Sequence, residues 1–143
     1  MSDKIPDVMA ASIMLLKQDA DLQALVDARV FGDKVPKDQA AAVPQKLVMV
    51  RHAPGVAGMG GYIDLQETVF DVFCYGETPA AAKEVFLEVY RILKRARRQV
   101  VNETLLHSFE PISTPRAFVD LDTSWDGIVC SFRSLASENQ VTS

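Results

Sequence analysis

Catalysis needs side chains that attack, move a proton or hold a metal, and this chain offers few candidates. Its two histidines, His52 and His107, stand alone, with no HxH, HExxH or His–Cys spacing. Metal ligation needs such clustering, and His52, just before Pro54, reads as a surface or loop residue. Cys74 and Cys130 sit inside the apolar runs VFDVFCY and GIVCSF. Two cysteines without CxxC spacing build no disulfide framework, so they read as free core thiols in a reducing compartment. The run GVAGMGG lies between two strand patterns, whereas a phosphate loop needs strand, glycines and then a helix N-terminus. DLDTSWDG groups Asp120, Asp122 and Asp126 around Trp125. It lacks the twelfth-position ligand and flanking helices of a calcium loop, so it reads as an acidic turn. Trp125 is then a partly buried anchor or a contact residue. The residues point to no catalytic group, no metal and no cofactor.

Charge is more informative. The 143 residues carry 15 Lys plus Arg and 19 Asp plus Glu, a formal net charge of −4. Residues 83–99 hold Lys83, Arg91, Lys94, Arg95, Arg97 and Arg98 against Glu84 and Glu88, a local +4 that leaves −8 elsewhere. Cations at a helix C-terminus complement the macrodipole, but four within five residues exceed that need. A subunit contact between basic and acidic patches is a second use. Nucleic-acid binding is a third, weakened by the lack of interleaved aromatics. The acidic total argues against nucleic-acid binding over the whole surface.

These residues must be positioned by one core: 48% hydrophobic content suits a folded chain, and at this length roughly 68–70% of the unfolded surface can be buried. No window approaches the ~18 apolar residues of a membrane span, and no targeting segment is visible. One domain over 1–143 is expected, with 1–6 and 137–143 frayed. A first helix is predicted from Asp7 to Lys17, its stripe formed by Met9, Ile13 and Leu16 rather than by Val8, Ser12 and Leu15. Asp19 or Asp21 caps a second short helix over Leu22, Leu25 and Val26. ARVFGDKVPKDQAAAVPQ reads as a loop in which Val30–Phe31 is at most a short extended piece. Leu47–Ala53 is a strand ended by Pro54–Gly55, and PGVAGMGGYI, holding four of the seven glycines, is a flexible loop.

QETVFDVFCYG is a second strand, with Phe70, Val72 and Cys74 on one face and Val69, Phe73 and Tyr75 on the other. Apolar residues on both faces imply a central position or an interface. Thr78 as N-cap and Pro79 at the first helical position open a long helix to about Gln99. Ala82, Phe86, Val89 and Leu93 form its stripe, widened by Val85 and Ile92. HSFEPIS, AFVDLD and GIVCSFRSLA are the later strands. The fold class is α+β, an antiparallel or mixed sheet with helices packed on one face and a long helix between strand groups.

The order of LLKQDADLQALVDARVFGDKVP, LVMVRH, a Gly-rich loop, DLQETVFDVFCYGETPAAAKEVFLEVYRIL and FVDLDTSWDGIVCSFRSLAS resembles the tail-completion (tail-terminator) proteins of long-tailed bacteriophages, prophages and gene transfer agents. The likeness runs from about Ile13 to Ala136. It implies a virion protein, made in the bacterial cytoplasm, that forms a homo-hexameric ring at the head-proximal end of the tail. There it stops tube polymerisation and offers a docking surface to the head–tail connector, with DNA passing through the ring. The implied partners are thus itself, the tail tube protein and a neck protein, with no membrane. The resemblance places a ring-lining loop at Pro54–Tyr62, which holds Gly55, Met59, Gly60 and Tyr62. Val69, Phe73 and Tyr75 offer apolar contact area, and Lys94, Arg95, Arg97, Arg98 and Trp125 complete the candidate interface. The rivals are another head–tail neck or connector ring protein and a small cytoplasmic α+β enzyme or ligand-binding domain.

Overall fold

The computed structural model describes residues 8–33, 45–59, 65–101, 104–120 and 124–138, with backbone alone at 53–59, 65, 66 and 138. Helices α1 (Val8–Gln18) and α2 (Ala20–Val26) lead into β1 (Val30–Gly32) and two long strands, β2 (Leu47–Met59) and β3 (Leu65–Gly76). Helix α3 (Pro79–Arg95) then precedes β4 (Gln99–Val101), β5 (Thr104–Pro111), β6 (Arg116–Val119) and β7 (Asp126–Glu138). The sheet order is β1-β2-β3-β7-β5-β4, and β6 also pairs with β7. Only β1 and β2 run parallel; the other described pairings are antiparallel. β3 takes one whole edge of β7, whereas β6 and β5 divide the other, β6 against 126–129 and β5 against 132–138. This is an α+β fold, as the sequence predicts.

β3 is central, which explains its two apolar faces. Phe70, Val72 and Cys74 join Val48, Val50, Cys130 and Phe132 beneath the helices in the main core. The opposite face carries a smaller cluster of Leu47, Met49, Tyr75 and Trp125, with Phe31, Phe73 and Phe118 packed against it. The stripe expected on α3 is buried in full: Ala82, Val85, Phe86, Val89, Ile92 and Leu93. Its start is also as read, with Thr78 Oγ1 accepting the Ala81 N–H at 3.1 Å and Pro79 in the first turn.

The helix ends earlier than the charged run suggests. The Ala96 N–H bonds back to the carbonyls of Ile92 and Leu93, and Arg98 adopts φ 50°. The Arg98 N–H reaches the His107 carbonyl at 3.2 Å, and Gln99, read as helical, begins β4. On α1, Val8, Ser12 and Leu15 are buried together with Met9, Ala11 and Leu16, whereas Ile13 is only partly so. The buried face is therefore broader than the predicted stripe. Its polar member, Ser12, is satisfied because its hydroxyl donates to the Val8 carbonyl at 2.7 Å.

Pro54–Gly55 does not end β2. His52 pairs with Phe70 and Ala57 with Thr68, so four residues oppose the single Val69 in a bulge. Pro54, which has no N–H to give to a ladder, falls in that unpaired stretch, and Ala57–Met59 resume pairing. The loop expected over 54–59 is thus strand; Gly60 and Tyr62 lie outside the described residues. Ser137, expected to fray, pairs with both Leu65 and Leu105.

Asp19 caps α2, its carboxylate accepting the N–H groups of Asp21 and Leu22 at 3.0 and 3.1 Å. Partial burial works against ionisation, but the Leu22 N–H and the Arg91 guanidinium outweigh it and hold the carboxyl below its usual range. Asp19→Ala is expected to cost about 1 kcal/mol, the ordinary value of a helix cap, with Asp19→Asn recovering part of it. Because the native pKa is depressed, the contribution is complete above pH about 3.8 and fades as pH falls below that. Urea titrations of both variants at pH 7 and pH 3 check this: the wild-type advantage over Asp19→Ala should narrow in acid.

Candidate interaction surfaces

The residues singled out for chemistry are placed apart or underground. Cys74 and Cys130 are free and buried, and burial raises both thiols above their ordinary pKa, which suppresses the reactive thiolate. His52 stacks on Phe70 at 5.2 Å, whereas His107 Nε2 lies 3.0 Å from Ser137 Oγ. Ser131 donates to Asp71 Oδ1 at 2.6 Å, a cross-strand pair that supports the sheet. Asp19, Asp21 and Glu88 bring carboxylate oxygens within 4.8 Å of one another. Arg91 already serves as their cation, at 2.8 Å from both Asp19 and Glu88 and 3.6 Å from Asp21. Glu88 and then Asp19 raise the Arg91 pKa further. Sequence reading missed this group because Asp19 and Arg91 are 72 residues apart.

The candidate interface residues fall into distinct environments. Val69 and Tyr75 are 6% and 5% exposed and Trp125 only 4%, so their apolar area is covered within the protomer. Phe73 packs edge-on against Phe118 at 5.9 Å, and Tyr75 meets Phe118 and Trp125 at 5.6 and 6.1 Å. Trp125 is the anchor of the β6–β7 turn rather than a projecting contact. Burial, and secondarily Asp120, push the Tyr75 hydroxyl up to about 12. Gly55 and Met59 lie on β2.

The cationic residues remain outward. Arg95, Arg97 and Arg98 are exposed and Lys94 half-buried, and none forms an ion pair with the described residues, unlike Arg91. Val100, two residues past Arg98, is 51% exposed. Beside them a cleft of about 300 Å³ is lined by Leu15, Asp19, Arg91 and Arg95 among others.

A second concavity had no sequence signal. A groove of about 420 Å³ runs between the first turns of α3, at Pro79 and Lys83, and the ribbon of Ala117, Phe118, Val119 and Ile128. It is mostly apolar because α3 covers β3 and β7 but leaves β6 open. Val119, 57% exposed, is the most exposed large apolar residue described. Only the three-dimensional placement of β6 beside α3 creates it.

No family model and no curated protein matches the chain. No helix among the described residues is long and apolar enough to cross a membrane. The fold is shared with a chain of a solved assembly described as the virion of a native gene transfer agent (GTA) particle. The TM-score is 0.67 and the identity 21%, with 95% of this chain and 99% of that chain covered. At this identity, the likeness establishes a common fold across nearly the whole length of both chains.

Proposed function

We propose that this chain is a structural protein of a phage or gene-transfer-agent particle and acts as its tail terminator. In this reading six copies close into a ring on the head-proximal end of the tail tube. The ring blocks addition of further tube subunits and offers its other side to the head connector. The observation that carries the reading is the fold shared, end to end, with a chain of a GTA virion. The order of sequence segments supports it, and so does the surface, whose outward features are charged patches and an apolar groove suited to protein contacts. The work is then done by steric capping and needs no reacting group.

Growing tail tubes incubated with the purified chain provide the test. Tube elongation should stop, and negative-stain images should show a six-fold ring on one tube end only. Tubes that lengthen normally in an excess of the protein, with bare ends, would remove the terminator role. Binding to isolated head connectors but never to tubes would assign the chain to the neck instead.

A further inference from the structure

Helix α3 starts three residues after β3 ends and runs back along it, so its two ends mark opposite ends of the sheet. At the starting end lie Gly76, paired with Asp126, and the β6–β7 ribbon. At the far end lie β4 and its partner residues 104–106 of β5, which lead to 136–138 of β7. Seventeen helical residues separate these ends by about 25 Å.

The two ends carry opposite charge around complementary apolar shapes. The far end has exposed Arg95, Arg97 and Arg98 beside half-buried Lys94, with Val100 projecting. Asp19 shares a cleft with Arg95 but is already paired with Arg91 at 2.8 Å. The starting end has the apolar groove, with Asp126 in its wall and exposed Glu77 two residues before Pro79. Neither acid forms an ion pair with the described residues. Asp120 stands at the start of the same turn. The cations at this end are Lys83 on the groove, Arg116 on β6, and Lys46, which Glu84 in the first turns of α3 pairs at 2.7 Å.

We infer that copies of this chain associate head to tail, the arginine pole and Val100 of one copy seating on the acid-rimmed Pro79–Val119–Ile128 groove of the next. Resting on the ring reading above, this adds which surfaces meet and in which order. A contact between two different patches on identical subunits is heterologous, and it closes into a ring when the rotation between copies divides a full turn. Val100 and Val119 supply the apolar centre, and the charges set register and exclude the reversed pairing, in which arginine would face arginine. Such a contact is weakened by salt, because raising ionic strength from about 0.1 to about 1 M shortens the Debye length from about 10 to about 3 Å.

The test is sedimentation of the full-length chain at low salt. Wild type should form oligomers that dissociate as salt is raised. Arg95→Glu/Arg97→Glu/Arg98→Glu and Glu77→Lys/Asp126→Lys should each sediment as monomers. An equimolar mixture of these two variants should associate again, because one presents acid at both ends and the other base at both ends. Val100→Asp should also lose association, and since Val100 is half-exposed its melting temperature should stay near wild type. A wild type that remains monomeric at low salt up to its solubility limit, or pole variants that assemble like wild type, overturns the inference. Association that follows the poles, in a protein that leaves tube growth untouched, removes the terminator reading but keeps this contact. Capping that survives both reversals does the opposite.

Discussion

Phe132→Ala is expected to destabilise the protein by about 3–5 kcal/mol, the range for truncating a fully buried aromatic. Phe132 has no exposed surface and lies directly across from Phe70, itself 1% exposed. Its ring also meets Tyr90 of α3 at 6.3 Å. The site is the place where the two central strands and the long helix touch at once, so no single element can collapse into the vacated space without lifting another. At roughly 2–4 °C per kcal/mol for a chain near this size, the melting temperature should fall by about 6–20 °C. The urea midpoint should drop with little change in slope, because the native fold and the unfolded surface stay much the same. Phe132→Leu, which keeps most of the volume, should cost clearly less. A loss below about 1 kcal/mol for the alanine variant would mean that α3 is not seated on this ring.

That layer was legible in the sequence because its signals are local and redundant. Alternation in β3 names both faces, and Thr78–Pro79 names where α3 begins. What failed was reading the ends. Lys94, Arg95, Arg97 and Arg98 have good helix propensity, yet tertiary pairing pulls the chain away: the Arg98 N–H binds the His107 carbonyl, and β4 joins β5. Pro54 and Gly55 look like a stop, but β3 continues alongside and a bulge absorbs the extra residues. Val8, Ser12 and Leu15 do not look like a stripe, but α1 is buried on a wide face, and Ser12 satisfies itself within the helix. The candidate surface divides in the same way. A run of arginines is visible in any sequence, whereas the apolar groove needs β6 to be left uncovered beside α3. Val69, Tyr75 and Trp125 show the converse. Their apolar character is plain, but only their burial in the fold, with Tyr75 and Trp125 inside the second cluster, reveals that the protomer itself covers them.

Among the described glycines Gly32, Gly76 and Gly127, Gly76→Ala is expected to be the most damaging change, and it bears directly on the proposed contact. A Cβ at Gly76 would press on the Ala82 amide nitrogen and lie 2.7 Å from the Ala81 carbonyl carbon. These are backbone atoms in the first turns of α3, so no rotamer change relieves the clash, and helix and strand must separate. Overpacking of this kind costs about 3 kcal/mol, and the melting temperature should fall by about 6–12 °C. Gly32 provides the contrast, because its Cβ would meet Ile13 Cδ1 at 2.9 Å and Met9 Sδ at 3.2 Å. Both are ends of flexible side chains that can turn aside, so Gly32→Ala should cost about 1 kcal/mol, the low end of the overpacking range. Gly127 falls between them: its Cβ would meet the Phe118 ring at 2.5 Å, and the ring can move only by loosening its contacts with Phe73 and Tyr75. The separation forced at Gly76 moves Pro79 and Lys83 away from Ala117, Val119 and Ile128, widening the groove while leaving the arginine pole in place. At a temperature where it remains folded, Gly76→Ala should therefore lose head-to-tail association as the acidic-pole reversal does. It should still associate with the Arg95→Glu/Arg97→Glu/Arg98→Glu chain, whose intact acid-rimmed groove can take its arginine end. If Gly76→Ala proves as mild as Gly32→Ala, the close seating of α3 on the end of β3 is wrong, and the fixed spacing of the two poles fails with it.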